Sequence, residues 1–175
     1  VQIHLGGDVI RIFSRRLSDV TDSLPDVVEQ VRKCIRNARE VVLDGEVVAV
    51  DESGRPMPFQ ELLRRFRRIR NILRASERIP LRLWLFDILY LDGEELLDKP
   101  YMERRKILEE IIDRRYLAPM IITSNPDEAL SFMEKAISEG HEGLMIKRLS
   151  STYKPGRREK LWLKLKPAEN LDLVI

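Results

Sequence analysis

Residues 40–50 read EVVLDGEVVAV. Seven of these residues are aliphatic, as in a strand buried in a sheet. Yet Asp44-Gly45-Glu46 stands at the centre. Alternate side chains of a strand share a face, so Asp44 and Glu46 point one way and Gly45 the other. A buried carboxylate without a partner is costly, so the Asp44/Glu46 face is expected to meet a cation, a hydroxyl donor or water. Glycine weakens a strand and often marks close approach by another backbone or a ligand. An edge strand with one solvated face explains the same pattern, and both readings stand at this point.

The rest of the chain supplies the neighbours such a strand needs. VQIHL and the run 9–15 flank Gly6-Gly7-Asp8, which predicts a hairpin. Ser23 is placed to cap a helix with Pro25 in its first turn, and Val27, Val28, Val31, Cys34 and Ile35 fall on one helical face. Glu52-Ser53-Gly54 closes the strand 41–50. A helix is expected over 59–74, striped by Leu62, Phe66, Ile69 and Leu73. LRLWLFDILYL, 81–91, is a second long strand ended by Asp92-Gly93. A helix over 101–115 turns Ile107, Leu108, Ile111 and Ile112 inward, and a short strand is expected at 120–123. Asn125-Pro126 starts a last helix that Gly140 ends, and strands follow at 143–149 and 161–166. Strands outnumber helices and no steady βαβ alternation appears, so the expected class is α+β, mainly antiparallel sheet with flanking helices.

The chain of 175 residues is one domain's length and carries a net charge of only +2, so any nucleic-acid function must rest on local basic patches. Cys34 is the single cysteine, which excludes an internal disulfide and suits a core position. No signal peptide and no run of 18 apolar residues is present, which predicts a soluble intracellular protein, cytoplasmic or, in a eukaryote, nuclear. The chain opens at VQIHL without an initiator Met and stops at LDLVI, so both ends are expected to be cut from something longer.

Three further stretches carry chemistry. On 81–91, alternation places Trp84, Phe86, Ile88 and Tyr90 on one face and Asp87 on the other. Such an aromatic row either packs a core or stacks on a planar base. In EGLMIKRL, 142–149, alternation separates Glu142 from Lys147, so either a bulge brings both inward or one alone serves a site. In WLKLK, 162–166, Lys164 and Lys166 share a face. Two ammonium groups so placed need an anion between them, and a phosphate chain answers that need; a solvated amphipathic strand is the plainer account. Together, metal-binding carboxylates, phosphate-binding lysines and a stacking ring would equip a nucleotide site.

DGE, LFDILYLDG, EGLMIK and WLKLK, in this order and with VQIH, FSRR and PFQELLRRF between and before them, resemble the nucleotidyltransferase domain of ATP-dependent DNA ligases of the archaeal and eukaryotic kind. The resemblance spans nearly the whole chain and implies an ATP-grasp-like adenylation fold over 1–170, with 171–175 entering an OB-fold domain. It implies ATP and Mg²⁺ as cofactors, a lysine–AMP adduct, transfer of AMP to the 5′-phosphate of a nick, and sealing by the 3′-hydroxyl. It places Arg15, Glu46, Phe86, Lys147, Arg158 and Lys164 around the nucleotide, Phe86 as the adenine platform, Lys164 and Lys166 at the α-phosphate, and Glu46 and Glu142 as metal ligands. The implied partners are nicked duplex DNA, the OB-fold and DNA-binding domains of the same protein, and a sliding clamp, with no membrane. The family's nucleophile lies in K-x-D-G-x-R just before VQIH, so residues 1–175 alone are not expected to self-adenylate.

RNA ligases and mRNA-capping guanylyltransferases share this layout, and a non-catalytic nucleic-acid-binding module is the third reading. Arg64, Arg65, Arg67, Arg68, Arg70 and Arg74 crowd one helix, where they either contact phosphate or pair with nearby acids. His4 and His141 lack metal-ligand spacing and read as strand surface and turn.

Overall fold

Two long strands organise the molecule, as their sequences predict. The computed structural model describes residues 1–66, 76, 78–156 and 160–167. β1 (Gln2–Gly6) and β2 (Val9–Phe13) form the expected hairpin. β3 (Glu40–Ala49) pairs with β1 on one side and with β4 (Leu81–Leu91) on the other, and β5 (Glu94–Glu95) turns back on the end of β4. The order is β2-β1-β3-β4-β5, antiparallel throughout. A second antiparallel sheet joins β6 (Leu144–Lys147) to β7 (Trp162–Leu165). Helices α1 (Pro25–Cys34), α2 (Phe59–Phe66), α3 (Tyr101–Ile111) and α4 (Pro126–Ser138) complete the described elements. The α+β class is as expected.

One face of the large sheet is the core. Ile3, Ile12, Leu43, Leu83, Leu85 and Ile88 pack there against Val27, Val31 and Cys34 of α1 and Leu108 of α3. Cys34 is the core residue its spacing predicts, and burial pushes its thiol up to about 12, so it is inert as a nucleophile. Gly45 faces this side. A Cβ there would stand 2.7 Å from the Trp84 carbonyl oxygen, so the glycine is needed for the close approach of β4's backbone.

Several boundaries differ from expectation for local reasons. Leu24, not Ser23, is the N-cap of α1, and it makes no side-chain capping bond; residues 21–23 close a 3-10 turn instead. α3 stops at Ile111, and a 3-10 turn at Arg114–Tyr116 follows, its first turn capped by the Asp113 side chain. Residues 120–123 form no strand. Leu117 bridges Leu85 in parallel and Ala118 donates to the Leu85 carbonyl, but Pro119 has no N–H to extend the ladder. α4 starts and stops as read, with Asn125 accepting from the Asp127 N–H and Gly140 at φ 94°. The second half of the arginine-rich helix (67–74, with Ile69 and Leu73), Arg158 and the connection 171–175 lie outside the described residues. Among the described residues no helix is long and apolar enough to cross a membrane.

Candidate functional site

The outer face of β3 and β4 is where the DGE carboxylates stand. Along β3, positions 41, 43, 45, 47 and 49 are buried, while Asp44 and Glu46 lie on the opposite, more open face. Alternation therefore holds on this strand. It fails on β4. The pairing with β3 shifts register twice, so that Asp44 faces Asp87 but Gly45 faces Leu85, and Phe86 is left over between them. Leu89 is left over in the same way, between partners of Leu43 and Val42. The predicted row of Trp84, Phe86, Ile88 and Tyr90 is thus broken: Ile88 turns into the core, and Asp87 joins Trp84 and Tyr90 on the outer side.

That irregularity sets Asp87 and Phe86 beside one site. Asp87 is fully buried, yet it is paired: Arg104 of α3, also fully buried, donates from Nε to Oδ1 at 2.8 Å and from Nη2 to Oδ2 at 2.9 Å. The same guanidinium reaches the carbonyls of Lys99 and Ser151, so it ties β4, α3 and the loop after β6 together. From that loop the Tyr153 hydroxyl donates to Asp44 Oδ2 at 2.8 Å. Burial raises the Asp44 carboxyl above its usual range, and the Tyr153 hydrogen bond opposes the rise. The Trp162 indole N–H donates to Ser151 Oγ at 3.3 Å.

Above this network sits Lys147. Its ammonium lies 4.3 Å from the ring centre of Phe86, 4.4 Å from Tyr101 and 3.9 Å from Trp162. It is buried and, among the described residues, has no hydrogen-bond partner. Burial lowers its pKa to about 8, against the pull of Asp87 and Asp44.

The lysines of WLKLK form an adjoining cluster. In the β6–β7 ladder Lys147 faces Trp162 and Met145 faces Lys164, so Lys147 and Lys164 share a face. Glu142 supplies the anion the two lysines require: its Oε2 is 2.5 Å from Lys166 Nζ and 3.7 Å from Lys164 Nζ. The Lys166 hydrogen bond holds the Glu142 carboxyl below its usual range. Alternation placed Glu142 away from Lys147, but Gly143 intervenes at φ 143° and lets Glu142 reach the lysines. A Cβ at Gly143 would stand 2.2 Å from the Leu165 carbonyl oxygen. Gly143→Ala is therefore expected to lower stability by about 1–3 kcal/mol in chemical denaturation, from backbone strain alone.

The candidates thus gather in two adjoining groups: Phe86, Lys147 and the aromatic rings in one, Glu142, Lys164 and Lys166 in the other. Glu46 stands exposed on the outer face, opposite Trp84. Arg15 is exposed in the turn after β2, and no contact among the described residues ties it to either group. Lys147 occupies the space against the Phe86 ring, where the nucleotide base was expected. Two open hollows of about 300 Å³ each lie elsewhere, around Leu5 and Val31 and around His4 and Tyr90. Mg²⁺ needs only one or two carboxylates beside ligand phosphates. No group of three metal-ligating side chains forms among the described residues, but exposed Glu46 meets that requirement, and Glu142 does once it releases Lys166. Of the arginine helix, Arg64 pairs with Glu61 at 2.6 Å and buried Arg65 with Asp26, so these two follow the acid-paired reading.

Sequence reasoning missed Tyr101, Ser151, Tyr153 and Arg104. Trp162 was within reach, because the alternation that pairs Lys164 with Lys166 also puts Trp162 on their face.

The profile of the family described as ATP dependent DNA ligase domain matches residues 1–166. A DNA ligase of Thermococcus fumicolans is 54% identical over the whole chain, and DNA ligase 1 of Korarchaeum cryptofilum is 53% identical. The chain spans 32% of the length of each of these relatives. The ligase domain of LigD from M. tuberculosis superposes with a TM-score of 0.69 at 32% identity, over 94% of this chain and 50% of that one. A profile that takes in both the DGE strand and WLKLK, together with relatives identical at half their aligned positions, fixes the assignment: the chain belongs to the ATP-dependent DNA ligase domain family.

Proposed function

We propose that this chain binds the nucleotide in an ATP-dependent DNA ligase, one that seals nicks in duplex DNA through enzyme–AMP and DNA–adenylate intermediates inside the cell. The observation that carries the proposal is the carboxylate of Glu142 between Lys164 and Lys166, which marks a seat for an anion beside the aromatic platform. An α-phosphate would take that seat between Lys164 and Lys166. Phe86 stacks on the adenine and Glu46 serves the ribose or Mg²⁺, while Arg15 and Arg158 are assigned to the phosphates by their sequence motifs FSRR and YKPGRRE alone. Glu46 and Glu142 would hold Mg²⁺, which would supply charge neutralisation on the phosphates. A structural neighbour, mycobacterial DNA ligase D, is described as complexed with ATP, which supports the choice of nucleotide.

In the intact protein, labelling by ATP and not GTP, followed by sealing of nicked DNA and not RNA, is the expected outcome. Preference for GTP or for RNA overturns the reading in favour of a capping enzyme or an RNA ligase. Phe86→Ala is expected to weaken ATP binding by roughly 1–3 kcal/mol in calorimetry, as loss of one stacking platform does.

A further inference from the structure

The Phe86 ring serves two guests. The nucleotide reading gives it to adenine, on which the following inference rests, and the structure gives it to Lys147. The box around that ammonium is built from three elements: Phe86 on β4, Tyr101 at the start of α3 and Trp162 on β7. This buried ammonium has no acceptor among the described residues and is held there by ring quadrupoles and the more distant carboxylates of Asp44 and Asp87. It regains hydrogen bonds only by leaving. Lys147 shares its strand face with Lys164, so the expelled ammonium emerges beside the proposed phosphate seat.

We infer that Lys147 is a specificity-determining residue: its ammonium caps the base subsite, and it yields readily only to a ligand whose phosphates receive it. The site would then reject adenosine and accept ATP, although both carry the same base. Lys147 both competes with the base and rewards the phosphates, so its removal moves the two affinities in opposite directions.

The test uses the intact protein freed of bound AMP, with adenosine and ATP as probes and binding read by calorimetry or ligand NMR. At pH 7, Lys147→Ala is expected to bind adenosine roughly three- to thirtyfold more tightly than wild type, the range set by a cation–π contact of about 0.7–2 kcal/mol. ATP affinity stays level or falls, so the ATP-to-adenosine ratio collapses. Lys147→Met, which keeps the bulk and removes the charge, is expected to lie between the two and guards against loss of fold. Wild-type affinity for adenosine should also rise as pH passes through about 8, where Lys147 loses its proton, and this rise should vanish in Lys147→Ala. Asp44, Asp87, Arg104, Arg105, Tyr101 and Tyr153 also face the box, and any profile left in Lys147→Ala belongs to them. Unchanged adenosine affinity in both Lys147 variants, with Phe86→Ala still weakening ATP, overturns the cap and leaves the nucleotide reading intact. Weaker adenosine binding in Lys147→Ala likewise overturns it, because the lysine then supports the base. If Phe86→Ala binds ATP as wild type does, the nucleotide reading itself fails.

Discussion

Lys164→Ala is expected, on the proposed function, to lower the rate at which the intact protein forms an AMP adduct by about 10²–10³, the usual effect of removing one preorganised group from a charge-stabilising site. Lys164 is the freer of the two lysines: it stands 3.7 Å from Glu142, whereas Lys166 is held at 2.5 Å. Its side chain is more than half exposed, so its loss should change stability by no more than about 0.5 kcal/mol. That combination separates chemistry from folding. A Lys164→Ala protein that labels with radioactive ATP at the wild-type rate would remove the phosphate role from WLKLK. Lys164→Arg keeps the charge on a longer, planar group and should recover only part of the rate, since a fork does not reproduce a point charge.

How much of this was legible beforehand depends on how local the signal is. The hairpin at Gly6–Val9, the two long strands and the caps of α4 follow from alternation and turn chemistry, which neighbouring residues decide among themselves. The lysine pair and its need for an anion were also visible, though not that Glu142 would answer it. The faces of β4 were not visible. Phe86 and Leu89 drop out of the ladder, and nothing in LRLWLFDILYL announces where a register shift falls. Gly143 hid the approach of Glu142 in the same way, by a backbone turn that side-chain parity cannot register. Ser151 and Tyr153 sit in a loop without periodicity, and Arg104 on α3 reads as one more surface charge until its partner at Asp87 is known.

That partner makes the second large effect a matter of stability. Arg104→Ala should lower the unfolding free energy by about 3–5 kcal/mol, since it strands a buried carboxylate that the pair had compensated. Among the described residues Asp87 would keep only the N–H of Ile88, at 2.9 Å, in a fully buried position. The pair itself is not the source of net stability, because two charges brought out of water repay little more than their desolvation. The double replacement Arg104→Met with Asp87→Leu is therefore expected to recover much of the loss in chemical denaturation. It should not recover nucleotide affinity. Arg104 also binds the Ser151 carbonyl, and Ser151 seats the Trp162 indole that closes the aromatic box. A double variant that unfolds like wild type yet binds ATP more weakly would identify Arg104 as the residue that positions the box. One that regains both would reduce the ion pair to a packing element.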